Sequence, residues 1–145
     1  LIPNSALSLC RRGETFRERG ALDRSLNDFN AATSESANAI CAYTGRGLTD
    51  EKRNNQKDAK AEYDKALALP VERDPDPYSG RQAQLIARTR GAKLADDARL
   101  EAERAAQAEK ERAAAEAEKA LAAKSAQQQL VTQAQEEALR KAAEM

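Results

Sequence analysis

This chain of 145 residues has 24 Lys and Arg against 24 Asp and Glu, a formal net charge of zero, and neither His nor Trp. Because both signs are interspersed, no basic patch of the kind that tracks nucleic acid stands out, and no apolar run approaches the ~18 residues of a membrane span. Without His, and with two Cys far apart in sequence, neither a zinc site nor a base for a cysteine nucleophile can be assembled.

The periodicity predicts an all-α chain. After an entry segment, Ser5 is a suitable N-cap for a first helix reaching about Arg19. Within it, Leu7-Ser8-Leu9-Cys10 has the outline of a lipoprotein cleavage site. Leu9 is too large to precede the Cys and no apolar stretch comes before it, so that reading is set aside. Gly20 ends the helix. A second helix, about residues 22–34, keeps Leu22, Leu26, Phe29 and Ala32 on one face. Ser34 and Ser36 offer caps for a third helix running to about Arg53. Asn54-Asn55 makes the next turn, a fourth helix covers about residues 56–69, and Pro70 stops it. Asp74-Pro75-Asp76-Pro77 then reads as a rigid, extended linker. A fifth helix follows over about residues 78–89, with Gln84, Leu85 and Ala87 as its packing contacts.

Hydrophobic residues are 41% of the chain, but every aromatic and every Pro precedes Gly91, and from there the apolar content is mostly Ala. Only the first part can build a core of ordinary size. Gly91 is the expected bend, since Gly costs about 1 kcal/mol relative to Ala within a helix. From Ala92 onward Ala, Glu, Gln, Lys and Arg predict a long helix, roughly 80 Å if continuous at 1.5 Å per residue. Pairs such as Glu137-Lys141 and Glu136-Arg140 support it by a few tenths of a kcal/mol each. A thin stripe of Ala runs along it, whereas a coiled coil needs bulky residues at a 3.5 period. Weak self-association and a spacer that touches nothing are both open. The expected organisation is a repeat region with its linker over 1–77, a capping helix over 78–91 and a long helix over 92–145.

One feature relates the first four helices to each other. Gly13, Phe29 and Ala32 recur 34 residues later as Gly47, Tyr63 and Ala66, and Arg12 recurs as Arg46. A fixed period of this length marks stacked helical repeats. With Ser25-Phe29-Ala32 and Ala59-Tyr63-Ala66 in the second helix of each unit, residues 6–71 resemble the tetratricopeptide family. Phe16 supplies the aromatic that the family carries in its first helix. The second unit departs at Asp50, Gln56 and Lys60 and in the early Pro70. About three such units normally make a stable stack. The fifth helix would therefore act as a cap, or further repeats would precede Leu1, or a second copy would cover the open face.

The resemblance implies a non-enzymatic protein-interaction scaffold with no cofactor, in which the first helices line a groove for a peptide or partner protein. Its groove positions here are Leu7, Cys10, Glu14 and Arg17, then Cys41, Thr44, Leu48 and Glu51. The family's carboxylate clamp needs Lys and Asn where Cys10, Glu14, Thr44 and Leu48 stand, so capture of chaperone tails is not expected. Cys10 and Cys41 read as two small, semi-buried thiols; a disulfide requires their Cα atoms within about 7 Å. Asp74 and Asp76 lack the ligand spacing of a calcium loop. Two other functions remain: an assembly rod whose working part is the Ala-rich helix, and a regulatory segment of a larger enzyme.

Overall fold

The computed structural model describes residues 2–145. It is all-α, 85% helix with no strand among the described residues. The elements are α1 (Ala6–Glu18), α2 (Leu22–Glu35), α3 (Ile40–Lys52), α4 (Gln56–Ala68), a 3-10 turn (Val71–Arg73) and α5 (Pro77–Ala143). They divide between two units, one ending at Ala98 and the other Arg99–Met145. No helix is long and apolar enough to cross a membrane among the described residues.

The 34-residue period has a physical counterpart in the first unit. α1 closes through Gly20 at φ 77° and α3 closes one period later through Asn54 at φ 58°, the left-handed region that Gly and Asn tolerate best. The N–H groups of Arg19 and Arg53 return to Thr15 O and Thr49 O, each at 3.1 Å. Arg12 grips Asp28 with two bonds of 2.7 Å, and Arg46 grips Glu62 at 3.0 and 2.7 Å. Each pair ties the first helix of a hairpin to its second at the same offset.

Aromatic rings fill the gaps that glycines leave. A Cβ built on Gly13 would lie 2.9 Å from Phe29 Cε1, and one on Gly47 would lie 2.5 Å from Tyr63 Cε1. These are approaches that only Gly allows. Two apolar clusters result. One joins Leu9, Cys10, Phe29, Ala32 and Ala42. The other joins Ile40, Ala59, Tyr63 and Ala66 with Ala83, Ala87 and Leu94 of α5. The start of α5 therefore covers the second hairpin.

Several expectations need correction. Ser34 lies within α2, and Ser36 closes that helix by donating its N–H to Ala32 O. Neither caps α3, whose N-cap is Ala39 with no side-chain bond. The acceptor comes from one period away: the buried Asp74 carboxylate takes the Ile40 N–H at 2.8 Å. Asp74 also accepts from Asp76 N–H at 2.8 Å. Asp76 in turn caps α5, accepting from Ser79 Oγ at 2.9 Å and Tyr78 N–H at 3.2 Å. Pro77 opens that helix at the position where its missing N–H costs nothing. The rigid stretch 74–77 thus also acts as a clasp, because the orphan donors at two helix starts need acceptors.

Leu85 is 57% exposed and does not pack. Ala83 takes that place, while Ala87 is wholly buried as expected. Gln84 contributes by hydrogen bonding, donating to Ala66 O at 3.1 Å and Leu69 O at 2.8 Å, carbonyls at the open end of α4. α5 also runs through Gly91 without a break. A Cβ there would meet Tyr63 Cβ at 3.7 Å and Cδ2 at 4.0 Å, ordinary contact, and strong helix formers surround the position. Ala87 and Leu94 on either side pack into the second cluster and hold the helix across the ~1 kcal/mol propensity cost of Gly.

The second unit consists of exposed helix, including Leu121 and Leu139. Lys141 pairs with Glu137 at 2.8 Å as its spacing predicts, whereas Arg140 reaches toward Glu144.

Candidate binding groove

Three helices of the first unit place side chains around one hollow of about 170 Å³. α1 contributes Leu7, Cys10, Arg11, Glu14 and Arg17, and α3 contributes Cys41, Thr44, Gly45 and Leu48. The third wall is the start of α5, with Ser79, Gln82, Ala83 and Ile86. Steps of three and four residues keep each set on a single helix face. A second hollow is lined by Arg17, Leu48, Glu51, Lys52 and Arg90. Arg17 and Leu48 belong to both, so the two form a continuous groove.

Seven of the eight positions expected from the sequence line the first hollow, and the eighth, Glu51, lines the second. They divide by what already occupies them. Cys10 and Cys41 form a disulfide, with Cα atoms 6.1 Å apart. The expectation of two free thiols is therefore corrected; α1 and α3 run close enough, on facing sides, for the bond. Thr44 is buried and donates its hydroxyl to Ala83 O at 3.0 Å, joining α3 to α5.

Glu51 is fully engaged within the chain. Arg90 donates to its two oxygens at 2.7 and 2.9 Å, and Tyr63 Oη donates at 2.6 Å. This carboxylate knots α3, α4 and α5 together. Burial raises the Tyr63 phenol well above its ordinary value, and the hydrogen bond to Glu51 and its charge add to the shift. The Arg90 guanidinium is likewise raised, first by its hydrogen bond to Glu51.

That leaves Leu7, Glu14, Arg17 and Leu48 with faces toward the groove that no bond within the chain claims. Burial lifts the Glu14 carboxyl above the usual range; Glu18 adds to this, while Arg17 and Arg11 oppose it. Arg17 Nη1 is buried and has no hydrogen-bond partner among the described residues.

The α5 wall and the Arg90 knot were not anticipated from the sequence. Ser79, Gln82 and Ile86 do repeat the three-and-four spacing of the other two walls, a signal present in the residues themselves. The first hollow, about 170 Å³, is smaller than the roughly 300–1,000 Å³ of small-molecule pockets, and the second, about 380 Å³, continues from it past Arg17 and Leu48. It offers an apolar strip from Leu7, Leu48 and Ile86 beside polar and charged groups. Among the described residues no group of three or more His, Cys, Asp or Glu is placed to hold a metal ion. No family model, no curated protein and no solved structure matches this chain.

Proposed function

We propose that this chain is a non-enzymatic, tetratricopeptide-like scaffold whose groove holds an extended peptide of a partner protein. The observation that carries the proposal is the division of labour in the groove. Cys10, Cys41, Thr44 and Glu51 are committed to fixing α1, α3 and α5 relative to one another. Leu7, Glu14, Arg17 and Leu48 are then presented on a frame that is already rigid. A frame ordered beforehand avoids ordering costs on binding. Two hollows in succession with a mixed lining suit successive side chains of an extended chain better than a compact cofactor. In this account the C-terminal helix serves as spacer or self-association segment.

Ile86 is 43% exposed and lines the groove, so Ile86→Glu should spare the fold and block the site. Peptides selected from a random library on the full chain should lose binding to this variant at an unchanged melting temperature. Equal binding to both proteins overturns the proposal.

One observation favours a second reading, an assembly rod. The unit Arg99–Met145 leaves Leu121 and Leu139 70% and 72% exposed, five helical turns apart and hence on one face. Light scattering on the full chain separates the readings. A monomer at tens of micromolar excludes the rod.

A further inference from the structure

We propose that the groove's natural occupant is an extended segment carrying acidic side chains, with one carboxylate seated on Arg17 Nη1 where the two hollows meet. This inference rests on the groove being the peptide site and names the chemistry of its ligand.

Arg17 is the first reason. A guanidinium carries five N–H donors, and burying one without an acceptor is a cost that folded proteins generally avoid. Here the orphan atom belongs to a side chain that lines both hollows. A carboxylate is the acceptor that matches a guanidinium most strongly, through charge and the option of two parallel bonds.

The charge balance of the groove is the second reason. Arg11, Arg17, Lys52 and Arg90 line it against Glu14 and Glu51. Glu51 is taken by Arg90 and Tyr63. Lys52 Nζ has a neutral partner, the Arg17 main-chain carbonyl at 3.3 Å. Of the acids at the rim, Asp76 is held by Ser79 and Tyr78 as a helix cap and also feels the charge of Arg11, and the charge of Glu18 acts on Glu14. With Arg11 shared between Asp76 and Glu14, Arg17 and Lys52 have only Glu14 as an uncommitted acid within the lining. Leu7, Leu48 and Ile86 line the same groove as these charges, which fits a segment carrying both acidic and apolar residues. Because the groove continues on both sides of Arg17, the carboxylate comes from a side chain within a segment. A chain terminus at Arg17 would leave one hollow empty.

The test uses the full chain and a random nine-residue peptide library displayed with both ends fused, so that no free terminus is present. The enriched pool should be rich in Asp and Glu. Its best member should bind about tenfold more weakly when those residues become Gln or Asn, the weight of one charged hydrogen bond. That difference should vanish in Arg17→Gln, partly return in Arg17→Lys, and persist in Arg73→Gln, which lies on the 3-10 turn away from the groove. Thermal melts of each variant establish that the fold is kept. An enriched pool without acidic bias overturns this inference and leaves the groove reading standing. No enrichment at all overturns both. An acid preference that survives in Arg17→Gln removes Arg17 as the seat. Enrichment only from a parallel library with free C-termini replaces the side-chain carboxylate with a terminal one and overturns the proposal as stated.

Discussion

Replacing Glu51 with Ala should unseat the joint between α3, α4 and α5, and its cost can be worked from the contacts. Tyr63 is wholly buried, and its hydroxyl loses the acceptor it holds at 2.6 Å. A buried hydroxyl left unpaired costs about 1–3 kcal/mol. Arg90 loses both its bonds, but its side chain is 40% exposed and returns to water. That part resembles a surface ion pair, about 0–1 kcal/mol. The central estimate is about 2 kcal/mol, a fall of roughly 8–16 °C in melting temperature for a unit of this size. Far-UV circular dichroism is dominated by the long exposed helix. The melt is better followed by tyrosine fluorescence, unobscured because the chain has no Trp. In a Tyr63→Phe background no hydroxyl is left to orphan, and Glu51→Ala should cost no more than about 1 kcal/mol. The same joint gives a pH dependence. The Tyr63 phenol is raised in the fold above its ordinary value of 10.0. Its stability contribution is complete below that pH and falls as pH climbs past it toward the folded value. Tyr63→Phe should lose less stability over that alkaline range. Equal costs of Glu51→Ala with and without the Tyr63 hydroxyl, or a melt within about 2 °C of the parent, would refute the reasoning.

Three further outcomes follow from the geometry. Reducing the Cys10–Cys41 bond, whose sequence separation is 31, should lower stability by up to about 3–4 kcal/mol in the loop-entropy account, read as a melting shift on adding dithiothreitol that Cys10→Ser abolishes. Gly47→Ala and Gly91→Ala should differ in sign. The first forces a methyl to 2.5 Å from the Tyr63 ring and should cost about 1–3 kcal/mol as overpacking. The second finds ordinary contact at 3.7 Å and should gain up to about 1 kcal/mol of helix propensity; urea melts of the two variants decide. Asp74→Ala removes the acceptor at the start of α3 and should destabilise by about 1–2 kcal/mol, as for a lost N-cap, with hydrogen exchange at the Ile40 amide accelerated beyond the global change.

What the sequence discloses about this protein is what repeats. The 34-residue period identifies Gly13 with Gly47 and Phe29 with Tyr63, and those become two of the three close ring-on-glycine contacts among the described residues, the third being Gly45 on Phe29. The same period places seven of the eight groove residues around one hollow. Groups whose partners lie across the fold were illegible. Asp74 serves a backbone N–H 34 residues away, and no side-chain pattern marks an acceptor for a main-chain donor. Glu51 and Arg90 are 39 residues apart, and each also has ample opposite charge nearby in sequence. Gly91 misled because its intrinsic cost is visible in the residue, whereas the packing that holds the helix across it belongs to Ala87 and Leu94 on either side. The cysteine pair depended on a Cα separation that spacing alone does not fix.

The central claim is that the groove of α1, α3 and the start of α5 holds an extended peptide. Amide hydrogen exchange on the full chain, with and without a saturating library-selected peptide, tests it most directly. Slowed exchange should be confined to α1, α3 and residues 77–90, with residues 99–145 unchanged. Protection appearing only in residues 99–145 would contradict the claim and make the helix, not the groove, the working surface.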